Sequence, residues 1–192
     1  LIFLREPIVN ILFQRGKFDY TATLGTAQAL LFYSVGIWAI VGVRVMTASF
    51  YSMQDTKTPV KIAAFALTMN VILSVILMNP LKHSGLALAN SLASSLNFAL
   101  LFFFLRRKLH GVDTSKILHS FAKTVLASSV MGILGGMLLQ GEIWHIDGNT
   151  LNKTLYLSGT IVLCIGIYFI LSLILKNEEA LYIMNLAKQK FK

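Results

Sequence analysis

The chain has 192 residues, 56% of them hydrophobic and only 13% charged, where a soluble domain carries about a quarter. Seventeen Lys and Arg against eight Asp and Glu give a formal charge of +9, and the mean hydropathy is +0.71. This composition excludes an ordinary water-soluble fold. The basic residues cluster between apolar runs instead of forming a stripe interleaved with aromatics, which excludes a nucleic-acid surface and fits the loops of a membrane protein.

The first 18 residues are amphipathic rather than uniformly apolar. Ile8, Ile11, Leu12 and Phe13 can line one face while Arg5, Glu6, Gln14, Arg15 and Lys17 stay wet, as in the end of a preceding helix followed by an interfacial segment. Arg5, Glu6 and Pro7 interrupt any signal-peptide core, and the first residue is not methionine, so a preceding part of the protein is expected. A helix crosses the hydrocarbon core in about 20 residues. Five runs qualify: Thr26 to Met53, Pro59 to Met78, Ser84 to Leu105, Ile117 to Leu139 and Leu151 to Leu175. The expected fold is an all-α integral membrane bundle of about five transmembrane helices over 19–176. A cytoplasmic amphipathic tail follows over 177–192, with Leu181, Ile183, Met184 and Leu186 apolar.

The joints are marked. Thr58 is the expected cap of the second span, with Pro59 at its first position. Asn79-Pro80 is expected to end that span, and Asp113-Thr114-Ser115 to cap the fourth. The stretch Gln140 to Lys153 reads as an exposed connection with Trp144 near the interface. Lys57, Lys61, Arg106, Arg107, Lys108, Lys116, Lys176, Lys188, Lys190 and Lys192 fall on one side of the spans. Arg5, Arg15, Lys17, Lys82 and Lys153 fall on the other. The richer side, with the C-terminus, is expected to be cytoplasmic.

Few residues inside the spans can carry chemistry. Arg44 either snorkels to the nearby cytoplasmic side or faces a cavity. Lys123, close to a helix start, is expected to snorkel. Asn70, Asn90 and Asn97 either bond between helices or form a polar cavity wall. Asn90 and Asn97 share one face of the third span, widened by Ser91, Ser94 and Ser95. Asp55, Lys57 and Lys61 mark a candidate gating loop. Gly132 and Gly136 form a small-xxx-small pair for close helix packing. The four histidines have no metal-ligand spacing, and phosphate-binding, nucleophile-elbow and zinc-protease motifs are absent. Cys164 reads as a packing residue. No metal site, cofactor or enzymatic activity is expected.

Leu4-Arg5-Glu6-Pro7-Ile8-Val9 and Leu12-Phe13-Gln14-Arg15-Gly16-Lys17-Phe18-Asp19 resemble the corresponding stretch of the MurJ/MviN lipid II flippases. Thr26-Ala27-Gln28, Phe32-Tyr33, Arg44-Val45 and the run Ala48 to Lys61 follow in the family's order, as does Gly85 to Ser94. The resemblance implies the C-terminal lobe of a fourteen-helix transporter of the superfamily that includes multidrug exporters. It further implies translocation of the lipid-linked peptidoglycan precursor across the bacterial inner membrane by alternating access. Its implied partners are lipid II, membrane lipids and the N-terminal lobe of the same protein. A groove between the last two spans is implied for the polyprenyl tail. Arg44 and the Asp55 to Lys61 loop are the positions that match family motifs. The coupling ion, or coupling to membrane potential, is left open. The alternatives are a related exporter of drugs or polysaccharide precursors, and a non-transporting membrane scaffold.

Overall fold

Hydrocarbon offers backbone N–H and C=O groups no partner, so runs of this composition are obliged to coil into helices. The computed structural model describes residues 1–13, 20–109, 114–139 and 150–174, and every regular element among them is an α-helix. These are α1 (Arg5–Phe13), α2 (Tyr20–Ser52), α3 (Lys57–Leu81), α4 (His83–Lys108), α5 (Thr114–Leu138) and α6 (Thr150–Ile174). The last five are long and apolar enough to cross a membrane, and only 11–28% of their most apolar stretches is buried. Their exposed surfaces carry Val41, Leu67, Val75, Met137 and Val162, which a bilayer or further protein must cover. The expected connection around Trp144, the tail over 177–192 and the cap residue Asp113 lie outside the described residues.

The chain divides into two compact units. One takes in 1–5 and 13–112, the other 6–12 and 113–192. In the first, α4 packs against both α2 and α3, which barely touch each other. Small side chains make this possible. α4 buries Ser84, Gly85, Ala87, Ala89, Ser91 and Ala93, and α2 buries Thr23, Ala27, Gly36 and Ala39. In lipid there is no hydrophobic drive between helices, so close packing and hydrogen bonds hold them. A Cβ at Gly36 would lie 2.6 Å from Ser91 Cβ, and the Ser91 hydroxyl donates to the Phe32 carbonyl at 2.6 Å. Farther along, Gly42 makes room for Phe98, whose ring meets Trp38 edge-on at 5.3 Å. Phe50, Ile62, Leu101 and Leu105 close the end of the bundle as an apolar cluster.

The joint between α2 and α3 is a double cap. The Asp55 N–H donates to the Phe50 carbonyl at 3.0 Å and the Gln54 N–H to Tyr51 at 2.9 Å, the two bonds of a Schellman ending. Gln54 takes the left-handed position, φ 56°, where glycine is usual. Asp55 then turns to α3. Its carboxylate accepts from the Thr58 N–H at 3.1 Å and from the Thr58 hydroxyl at 2.8 Å. The expectation of Thr58 as cap is therefore corrected: Asp55 supplies the capping oxygen, Thr58 donates, and α3 begins at Lys57.

Between α3 and α4 the expected stop at Asn79-Pro80 comes slightly late. Pro80 lies within α3, in its last turn, where a missing N–H removes one terminal bond and leaves the helix body intact. The chain turns at Lys82, φ 50° and ψ −128°, a conformation suited to glycine. Gly85 then rests on the backbone of α3, where a Cβ would meet the Leu77 carbonyl carbon at 2.6 Å.

In the second unit, α5 packs on α6. Ala127, Met131, Gly135 and Leu139 recur every four residues and form the α5 side of the seam. Across it are Leu157, Thr160 and Cys164, all buried. The tight contact is at Gly135, where a Cβ would stand 2.8 Å from Cys164 Sγ. Gly132 and Gly136 flank this seam half-buried. The Tyr156 hydroxyl donates to the Leu138 carbonyl, satisfying an acceptor that the end of α5 leaves open.

Two further expectations are corrected. Lys153 does not lie in a connecting loop but in the first turn of α6, only 6% exposed, with its ammonium donating to Asn10 Oδ1 at 3.2 Å. In α1, the buried residues are Pro7, Val9 and Asn10, whereas Leu12 and Phe13, expected on the inner face, are exposed. The polar partner in α6 decides which side of α1 turns inward.

Candidate functional site

The polar side of α4 is built by helical spacing. Asn90, Ser94 and Asn97 fall at i, i+4 and i+7, hence on one face. Asn90 and Asn97 are half-buried, and the Oδ1 of Asn97 is sealed from solvent with no hydrogen-bond partner among the described residues. An unfilled acceptor in an apolar bundle is costly and marks a place suited to a donor. On α3, Asn70 continues the stripe of Ile62 and Ala66 toward α4 and accepts from the Ser74 hydroxyl at 3.4 Å. Gly85 against Leu77, and Ile62 beside Leu101, fix the antiparallel register of α3 and α4. That register sets Asn70 level with the α4 turn between Asn90 and Asn97. Asn70 therefore lies beside the two-turn stretch of α4, about 10.5 Å long, that carries Asn90 and Asn97, though no hydrogen bond joins the three among the described residues.

Arg44 is placed differently. It lies on the exposed face of α2 in the stripe Ile37, Val41, Arg44, Ala48 and Tyr51, spaced alternately by four and three. It makes no hydrogen bond or ion pair with any described residue. α2 runs parallel to α4, with Gly36 at Ser91 and Gly42 at Phe98, so Arg44 is level with about Leu100. Eight residues separate it from Ser52, about 12 Å along the axis. The structure thus sets Arg44 about one turn beyond Asn97, toward the basic end of the bundle, on the exposed face of α2.

That end gathers Lys57 and Lys61 at the start of α3 and Arg106, Arg107 and Lys108 at the end of α4, all exposed. Asp55 is the one acid among the described residues of the first unit, and the Lys108 ammonium reaches it at 2.8 Å. The Lys108 hydrogen bond, followed by the two from Thr58, holds the Asp55 carboxyl down to about 2 from 3.8. One side chain therefore caps α3 and ties it to α4. Of the three loop candidates, Asp55 is engaged, while Lys57 and Lys61 are exposed. Its partner Lys108 was legible only as one more basic loop residue.

The buried polar residues that the sequence reading did not single out include Asn10, Lys153 and Ser172, the last 3% exposed with no partner for its hydroxyl among the described residues. Lys153 could have been suspected, because it is the third residue of the expected span Leu151 to Leu175. Among the described residues, no three His, Cys, Asp or Glu side chains group together as metal ligands would.

Comparison with known proteins adds a family. The model of the family described as lipid II flippase MurJ matches residues 1–157. The "Probable lipid II flippase MurJ" of Rickettsia prowazekii is 32% identical over 178 residues, 92% of this chain and 35% of that protein. The protein of the same description from Buchnera aphidicola is 34% identical, covering 82% of this chain and 31% of its own length. The "Lipid II flippase MurJ" of Burkholderia cenocepacia is 29% identical, with 88% and 33% covered. The chain thus spans about a third of the length of these relatives. A match over residues 1–157, supported by relatives that align with most of the chain, means that this five-span membrane chain belongs to the lipid II flippase MurJ family.

Proposed function

We propose that this chain is the part of a bacterial inner-membrane flippase that forms its C-terminal lobe, and that the whole protein carries lipid II from the inner to the outer leaflet. Family membership over residues 1–157 is the observation that carries this reading. The physics supports it. A charged lipid head cannot cross hydrocarbon unescorted, so it needs a path lined by polar groups. Asn70, Asn90 and Asn97 supply such groups along one stretch of α3 and α4, and the unfilled Asn97 acceptor suits a hydroxyl or amide donor.

The excess of Lys and Arg at the α3–α4 basic end supports placing that end, and the C-terminus, in the cytoplasm. Arg44 then projects from the outer face of α2 a short distance inside the inner boundary, within snorkelling reach of headgroups. In this reading Arg44 meets the lipid head at the inner mouth of the path. The exposed apolar faces of α5 and α6 suit a polyprenyl tail. Movement follows alternating access, with the remaining lobe as the other rocking body. Coupling to an ion or to the membrane potential completes the proposal, and no organic cofactor is involved.

The test is complementation. Cells depleted of their own flippase receive the full-length protein, and an externally added enzyme that cleaves lipid II reports exposure at the outer leaflet. Restored cleavage is expected. A well-expressed, correctly inserted protein that restores none would overturn the reading.

A further inference from the structure

We propose that one face of α2, marked by Tyr33, Arg44, Thr47 and Tyr51, is a wall of a water-filled path and touches the polar head of the lipid as it crosses. The wet face stands on these residues alone, whereas the identity of the head rests on the flippase reading. Tyr33, Arg44 and Tyr51 are eleven and seven residues apart, close to three and two whole turns, so they fall within about 20° of one line along the helix. Thr47 flanks Arg44 in the next turn. The line from Tyr33 to Tyr51 is about 27 Å long, against about 30 Å of hydrocarbon. Tyr33, Arg44 and Tyr51 are exposed and Thr47 is half-buried, and none of the four makes a hydrogen bond or ion pair with any described residue.

Interfacial anchoring and snorkelling do not account for the set. Tyr51, at the end of α2, is placed as an interfacial tyrosine would be. Gly36 stands at Ser91, however, which sets Tyr33 level with Leu88, about 7.5 Å inside the start of α4 at His83. The hydroxyls of Ser34, Ser49 and Ser52, off this line, donate to carbonyls of α2 itself at 2.7, 3.1 and 2.8 Å, which satisfies them against lipid. Thr47 makes no such bond with the described residues. Donors along one line, each without an acceptor, are costly against acyl chains, and water or a polar ligand removes that cost. The neighbouring arc of α2 is the contrast, since Leu24, Val35 and Val45 are exposed there and suit lipid. The chemistry of the line selects its occupant. A guanidinium pairs bidentately with phosphate. A phenol offers a hydroxyl to sugar hydroxyls and an apolar ring face beside it. Arg44 between two tyrosines therefore suits a head in which phosphate is joined to sugar.

The experiment uses the full-length protein with every native cysteine, Cys164 included, replaced by Ala. One cysteine is then returned by Tyr33→Cys, Arg44→Cys, Thr47→Cys or Tyr51→Cys or, as controls, by Val35→Cys or Val45→Cys. Proteoliposomes receive a membrane-impermeant, negatively charged methanethiosulfonate on both sides, which reacts with a thiolate in water. Labelling at the four line positions is expected to be at least about tenfold faster than at the two controls. Added lipid II should slow labelling at residues 33, 44 and 51 to about a third or less by occupancy, whereas phosphatidylglycerol at the same mole fraction should not. Labelling no faster than at the controls means that lipid or another protein surface covers the face, and overturns the proposal. Fast labelling indifferent to lipid II, while the cysteine-free parent restores lipid II exposure in cells, overturns contact with the head and leaves the flippase reading standing. A parent that restores none overturns the flippase reading, and the labelling alone then decides whether the face is wet. The four positions are read independently, so the loss of one variant leaves the others to decide.

Discussion

Gly36→Ala tests the packing of α2 on α4 most directly. The added Cβ would lie 2.6 Å from Ser91 Cβ and 2.7 Å from Ser91 Cα, whereas ordinary contact begins at 3.4 Å. The Cα is backbone and cannot swing away, so the helices must part locally by about 0.7–0.8 Å. That opening also stretches the 2.6 Å bond from Ser91 to the Phe32 carbonyl toward the limit of a useful hydrogen bond. Overpacking costs about 1–3 kcal/mol, and an interhelical hydrogen bond in a membrane contributes about 0.6–1.7 kcal/mol. The sum is about 2–5 kcal/mol, or roughly 4–20 °C in unfolding temperature for a chain of this size. The assay is thermal unfolding in detergent followed by circular dichroism, which reports the α2–α4 helices directly, whereas the buried Cys164 thiol belongs to the other unit. Gly25→Ala and Gly159→Ala are the controls, because nothing lies within 4 Å of either Cβ position. These should be neutral or stabilising by up to about 1 kcal/mol through helix propensity. A Gly36→Ala protein as stable as either control would refute the close-approach argument.

Other perturbations have equally definite signs. Asp55→Asn removes the Lys108 ion pair, and the stability gap to wild type should be fully present above the ordinary carboxylate value of 3.8, then close as pH falls through about 2. Unfolding temperatures measured from about pH 7 down to about pH 2 check this, and a gap that widens on acidification would reverse the assignment. Gln54→Gly relieves a left-handed residue and should raise the unfolding temperature by a few degrees, equivalent to up to about 1 kcal/mol. Lys153→Ala leaves Asn10 Oδ1 without its charged donor and should destabilise by about 1.5–3 kcal/mol in the same assay. Arg44→Ala, at normal expression in the lipid II exposure assay, should lower translocation while leaving the unfolding temperature within about 0.5 kcal/mol of wild type, as expected of an exposed side chain without structural partners.

The spans were legible because hydropathy and length are local properties. α3 to α6 differ from the expected runs by at most three residues at either end, and α2 starts six residues early at Tyr20. What the sequence hid was pairing. That Asp55 serves Thr58 and Lys108 at once depends on a residue 53 positions away. That Lys153 is buried depends on Asn10, 143 positions away. Glycine spacing suggested Gly132 and Gly136, but helix rotation gave the contact to Gly135, one residue off. The amide stretch was half visible: Asn90 and Asn97 share a face by spacing alone, whereas the position of Asn70 beside them required the register set at Gly85.

The bond between Lys153 and Asn10 also has a consequence for biosynthesis. α1 is made first, yet the α6 residue that receives it is translated 143 residues later. At 5–20 residues per second the interval is roughly 7–29 s. During that time the four helices α2 to α5 must insert and the amide of Asn10 must wait unclaimed by α6. The second unit therefore cannot be completed cotranslationally in chain order, and a ribosome stalled before Thr150 would hold a finished α2–α4 bundle beside an α1 still lacking its place.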